Sequence, residues 1–414
     1  MSDLDNAETA TVIANFGQDS SFASEKTAQG NQDSNQKGDF YYAPPAGYSA
    51  LCTDNLPAPS FSGVETGDNF NEVFYTGNGG TQAVTGVGFQ PDFVWLKNRN
   101  STGSHMAYDS IRGATYYLHQ NEINAQTNGS NTTSNLQSFD SDGFTVIYRA
   151  SNADNTNRNS YTYVSWNWKG GGTAVANTTG TIDTLVSANP AAGFSVVKFD
   201  DPATAADATI GHGLSQRPEL VIGKPYNASD AWRVGSDFNG STGTPKNWEE
   251  ILQHQTSGAA GPKDGVFDGG DYPGGPTGSI IYLGDDGLNN STYQSILYCF
   301  HSVEGYSKIG RYFGNGNTSG AFVYTGFYPK FILIKAIDRG EHWDIPVGNL
   351  NAASQRWLSP NLNSAERTMD QDPGLDRLAN GFKIRTSDGN LGYNGTRFLY
   401  LAIAESPFKP SNAV

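Results

Sequence analysis

The sequence predicts an all-β protein: three tandem, jelly-roll-like antiparallel β-sandwich domains behind an N-terminal extended or β segment. Three observations predict it. Only 16% of the 414 residues are charged, while Gly numbers 49, Tyr 21 and Phe 22, a balance rich in turn formers and strand-favouring aromatics and poor in helix formers. One heptad recurs three times, as PDFVWLK at residues 91–97, PELVIGK at 218–224 and PKFILIK at 329–335. Around each copy, short apolar runs alternate with Gly, Asn, Asp and Ser clusters, as in antiparallel sheets.

The repetition extends over units of about 100 to 135 residues, too long for a solenoid period, so the copies read as tandem domains. The expected organisation is an attachment segment at 1–68, then repeats at 69–172, 173–308, with a long insertion, and 309–414. Tyr75-Thr76-Gly77-Asn78-Gly79 opens the first repeat and Tyr312-Phe313-Gly314-Asn315-Gly316 the third, and Gly88-Phe89 and Gly326-Phe327 precede their heptads. Eight residues past each heptad lysine stands His105, Trp232 or Trp343. Each unit then has a Gly-led strand and closes on an aromatic strand entered from an Asn-rich turn, as in Asn159-Ser160-Tyr161-Thr162-Tyr163-Val164-Ser165-Trp166.

Inside the heptad, a proline in the first strand position removes no ladder hydrogen bond, and the apolar run that follows suits a strand covered on both faces. The terminal lysine is expected at a strand end in solvent, with pairing to a carboxylate such as Asp109 as the alternative.

Charge excludes several partners. The net formal charge is −15 with no Lys/Arg cluster, which disfavours nucleic acid and anionic lipid, and no apolar stretch is long enough to predict membrane insertion. Cys52 and Cys299 are too few and too far apart for a disulfide scaffold and are expected as buried thiols. Six histidines, His105, His119, His212, His254, His301 and His342, show no metal-ligand spacing and are expected to be solvent-facing or structural. Asp264, Asp268 and Asp271, in a Gly-rich stretch, form the one sequence-level candidate for calcium, against the reading of a solvated acidic loop. No other cofactor is expected.

Two resemblances follow from these motifs. Gly88 to Lys97, Asp109-Ser110-Ile111-Arg112-Gly113, Ser141-Asp142-Gly143-Phe144 and Tyr163-Val164-Ser165-Trp166-Asn167-Trp168-Lys169 resemble an uncharacterised β-sandwich repeat of structural proteins in marine tailed phages, including cyanophages. The second and third units lack the Asp-Ser-x-Arg-Gly turn. Val12 to Phe22 with the Pro-Pro-Ala-Gly-Tyr stretch ending at Tyr48 looks like the end of a SPRY-type domain. The resemblance implies a virion protein without enzymatic activity, a tail-fibre or adhesin component contacting the host surface. Its implied partners are other virion proteins through the N-terminal segment, further copies of itself as a trimer by analogy, and a host glycan. Its expected location is a tail appendage rather than the capsid surface. Trp232, Trp343, Trp248 and Trp357, with Arg233 and Asp344 beside them, are the candidate glycan platform. The alternatives are a capsid decoration or head-fibre protein, and a surface-glycan depolymerase, which needs two carboxylates across one cleft.

Overall fold

The computed structural model describes residues 14–52, 55, 66–129, 135–149, 156–200, 208–238, 248, 250–262, 266–267, 275–284, 287–290, 292–348, 355–369 and 374–405. The chain divides into two units, Gly63–Pro407 and a smaller one comprising Met1–Ser62 with Phe408–Val414.

All named strand pairs of the larger unit are antiparallel, and each repeat is a sandwich of two unequal sheets. In sandwich 1 the larger sheet runs in the order Phe70–Thr76, Thr162–Trp168, Phe93–Asn98, Met106–Asp109, Tyr116–His119, Thr127–Asn128, and Thr81–Val84, Gly143–Ile147 and Asn135–Asp140 form the smaller one. Sandwich 3 repeats that order from Ser307–Phe313 and Arg397–Ala404 through Pro329–Ala336 to Arg367–Met369. Sandwich 2 keeps the same middle but adds the hairpin of Val175–Asn177 and Thr184–Asn189 outside its first common strand, Phe194–Phe199.

The heptad's apolar run is the central strand each time, as Phe93–Asn98, Leu220–Pro225 and Pro329–Ala336; Pro329 opens its strand as expected, whereas Pro91 and Pro218 precede theirs by two residues. Its alternation sends Val94 and Leu96, Val221, or Ile332 and Ile334 into the core of their own sandwich. The intervening side chains point to the opposite face. Those faces meet one another: Phe93 stacks on Tyr298 at 4.1 Å, Phe331 lies 5.6 Å from Trp168, and Trp95 and Trp343 flank His254 at 5.4 and 4.9 Å. A shared aromatic core therefore lies between the three sandwiches, in addition to the three cores within them. The space left in it among Phe93, Trp95, Ile222, Tyr298, Phe331 and Leu333 is about 10 Å³, about one water's worth.

The smaller unit has, among its described residues, a single bridge between Asn31 and Phe40 rather than strands. Carboxylates order it instead. Asp33 accepts from the backbone of Asn35, Lys37 and Ala50, and Asp39 from that of Ser20. Such side-chain acceptors compete with a strand ladder for backbone donors.

Candidate functional site

The three heptad lysines are buried, at 0–1% exposure. This corrects the expectation of solvent-facing strand ends, and Asp109 does not pair with Lys97 but with Arg112, at 2.6 Å. Each ammonium instead donates to carbonyls, one of them across a repeat boundary. Lys97 Nζ reaches Asn363 O in sandwich 3 at 3.5 Å, Lys224 reaches Ile123 O in sandwich 1 at 2.8 Å, and Lys335 reaches Ser257 O in sandwich 2 at 3.4 Å. The direction is cyclic, one to three, three to two, two to one.

Two further contacts share that register. The carbonyl two residues past each lysine accepts a backbone N–H from the residue three beyond the acceptor: Glu366 N to Arg99 O, Gln126 N to Tyr226 O and Ala260 N to Ile337 O, all 2.7 Å. The aromatic eight residues past the lysine turns to the residue four before it. Trp232 Nε1 donates to His119 O at 2.9 Å and Trp343 Nε1 to Gln253 O at 3.4 Å, while in the first repeat His105 Nδ1 instead accepts from Trp95 Nε1 at 2.9 Å within its own sandwich. The recurring heptad is thus the closure of an internal threefold ring. Burial lowers the lysine pKa values to about 7 for Lys97 and Lys224 and about 8 for Lys335, because the charged form loses hydration; Asp230 opposes the shift at Lys224, and Glu341 and Asp344 oppose it at Lys335.

The residue after each heptad proline, Asp92, Glu219 or Lys330, looks onto the next sandwich, and here the symmetry ends. Asp92 accepts from Gly170 N and Gly172 N and from Ser110 Oγ, at 2.7–3.2 Å. Nearby, Tyr298 Oη donates to Asp109 Oδ2 at 2.9 Å, so the buried Asp109–Arg112 pair is tied to sandwich 2. At the boundary of sandwiches 3 and 1, Lys330 Nζ donates to Asn71 Oδ1 at 2.8 Å and Trp166 Nε1 to Glu72 Oε2 at 3.3 Å. Burial raises the Glu72 pKa, and the Arg377 and Lys330 charges oppose that rise.

Between sandwiches 2 and 3 the equivalent space is open among the described residues. Glu219 Oε2 accepts from Ser302 N at 2.6 Å at the edge of a cleft of about 490 Å³ lined by Arg217, Glu219, Asp237, Trp248, His301 and Arg311, among others. Arg311 is braced by a 2.7 Å hydrogen bond to Phe238 O, and Arg217 lies over the Trp248 ring at 5.9 Å.

The residues proposed from sequence are dispersed. Trp232 and Trp343 sit at repeat boundaries, and Trp357 packs in the core of sandwich 3. Trp248 is in the core of sandwich 2 with one side on the cleft. All four are 0–1% exposed, so they offer no open stacking face. Their indoles fill space that the polar flanking residues do not reveal. Arg233 pairs with Asp230, while Asp344 is buried against Ser359 and Arg367. Asp264, Asp268 and Asp271 lie outside the described residues. Among the described residues no group of three or more His, Cys, Asp or Glu is arranged to hold a metal ion, and no helix is long and apolar enough to cross a membrane. His105, His212, His254 and His301 are buried and structural, Cys299 is a buried thiol and Cys52 is half-buried.

Sequence reasoning missed Arg217, Glu219 and Arg311. Only the variable second position of the heptad marked one of them. The lysine acceptors were equally hidden, since a backbone carbonyl has no side-chain signature.

Fold and site together define an internally threefold, all-β unit made from one chain. The chain belongs to the family of a domain of unknown function (DUF7483), whose model matches residues 65–407. No curated protein matches it.

Proposed function

We propose that this chain is a non-enzymatic virion protein, a tail-fibre or comparable adhesin component that presents a rigid three-lobed head to the host cell surface. The observation that carries the reading is the ring closure. Every sandwich is tied to both neighbours by a buried lysine and a 2.7 Å backbone hydrogen bond. A head closed this way offers a fixed arrangement of surface loops, and preorganised surfaces lose less entropy on binding. Division of the chain into this head and a unit containing Met1–Ser62 supports attachment to other virion proteins through the smaller unit. A trimer formed there, by analogy with phage fibres, would multiply weak contacts through effective concentration.

The test is to locate the chain in intact particles by electron cryomicroscopy and to incubate fluorescently labelled protein with host cells. The expected result is three-lobed density at a distal tail appendage together with saturable cell labelling. Density confined to the capsid lattice, with no labelling of cells, would replace the adhesin by a decoration protein.

A further inference from the structure

We infer that the cleft between sandwiches 2 and 3 is a saccharide-binding site for a neutral, hydroxyl-rich glycan segment. Its biological setting rests on the adhesin reading; its chemistry does not.

The first reason is the asymmetry of the ring. The same space is filled by Gly170, Gly172 and Ser110 around Asp92 at one boundary, and by Lys330, Asn71 and Glu72 at another. Among the described residues, the third boundary is the one where the residue after the heptad proline, Glu219, borders a cleft of about 490 Å³. That volume is within the roughly 300–1,000 Å³ of small-ligand sites.

The second reason is the lining. Arg217 and Arg311 share the cleft with Glu219 and Asp237, so the four formal charges cancel. An anion would meet the carboxylates and a cation the guanidiniums. Adjacent sugar hydroxyls, each both donor and acceptor, satisfy both kinds of group at once, and hydrogen bonds to charged partners are the stronger ones. Arg311 and Glu219 are already braced, by Phe238 O and Ser302 N, which fixes their positions before a ligand arrives.

The experiment uses the full chain on an array of purified bacterial O-antigen and capsular saccharide fragments, with the best binder titrated by calorimetry and cell labelling run in parallel. The variants are Glu219→Gln, Arg311→Gln and the double variant that carries both. Expected are saccharide binding by the parent chain and a loss of about tenfold or more in Glu219→Gln and Arg311→Gln at unchanged melting temperature. Binding equal to that of the parent chain in folded Glu219→Gln and folded Arg311→Gln proteins would overturn the site. Cell labelling that persists in all three variants, or is abolished by protease treatment of the cells and not by removal of their glycans, would overturn the saccharide while leaving the adhesin intact. Array binding lost in the variants, without cell labelling, would keep the site and sink the adhesin. No array signal at all would sink the site.

Discussion

The boundary between sandwiches 1 and 2 and the boundary between sandwiches 2 and 3 begin from the same heptad and end differently. At the first, a carboxylate, a guanidinium and a phenol are buried together, with Arg112 Nε on Asp109 at 2.6 Å and Tyr298 on the same carboxylate. At the second, the charged groups line a cleft instead. A repeated strand therefore fixes how the sandwiches are joined, and the residues beside it decide whether a joint is sealed or available for a ligand.

The largest expected effect is at the sealed joint. Arg112→Met leaves Asp109 buried without its cation, and breaking one partner of such a pair costs about 3–5 kcal/mol. Denaturant unfolding should show that loss, and a shift under about 1 kcal/mol would mean that the joint is no more sealed than its counterpart. Lys224→Met comes next. It strands the carbonyls of Ile123, Ala228 and Asp230 but also relieves an ammonium of its desolvation, so a net loss of about 1–3 kcal/mol is expected. A stabilised Lys224→Met protein would show that the lysines serve ring specificity at the expense of stability.

Dependence on pH sharpens the same point. The lysines have folded pKa values of about 7 to 8 against 10.5 for the free group. Between those values the unfolded chain binds more protons than the folded one, so stability rises with pH. Above about pH 9 the buried Cys299 thiol, raised to about 12, acts in the opposite direction. Urea midpoints should therefore climb from pH 7 to about pH 9, by at most ~1.4 kcal/mol per pH unit for each lysine. A Lys97→Met, Lys224→Met, Lys335→Met triple variant should lose the climb; if it keeps the full slope, other groups cause it. The smallest effect belongs to the open cleft, where Glu219→Gln should change stability by under about 0.5 kcal/mol, as exposed substitutions usually do. A loss comparable to that of Arg112→Met would erase the contrast between the two boundaries.

Much of the fold was legible. Pro91, Pro218 and Pro329 and the apolar runs behind them marked the three central strands, and the Gly-Asn-Gly openings marked the turns that follow Phe70–Thr76 and Ser307–Phe313. The site was not. Trp232 and Trp343 stand among polar neighbours in the sequence, yet their indoles reach carbonyls of the preceding sandwich. A polar local context describes the strand and says nothing of which strand from another repeat will cover it.

The sequence by itself determined the strand content, the threefold repetition and the burial of the heptad on both faces, because these depend on period, composition and turn chemistry within a few residues. The tertiary structure decided that the repeats close into a ring, that the lysines end on carbonyls 78 to 266 residues away, and that, among the described residues, one of the three boundaries stays open. Those outcomes depend on backbone atoms, which every residue shares, and on complementarity between segments far apart in the chain. No local pattern encodes either.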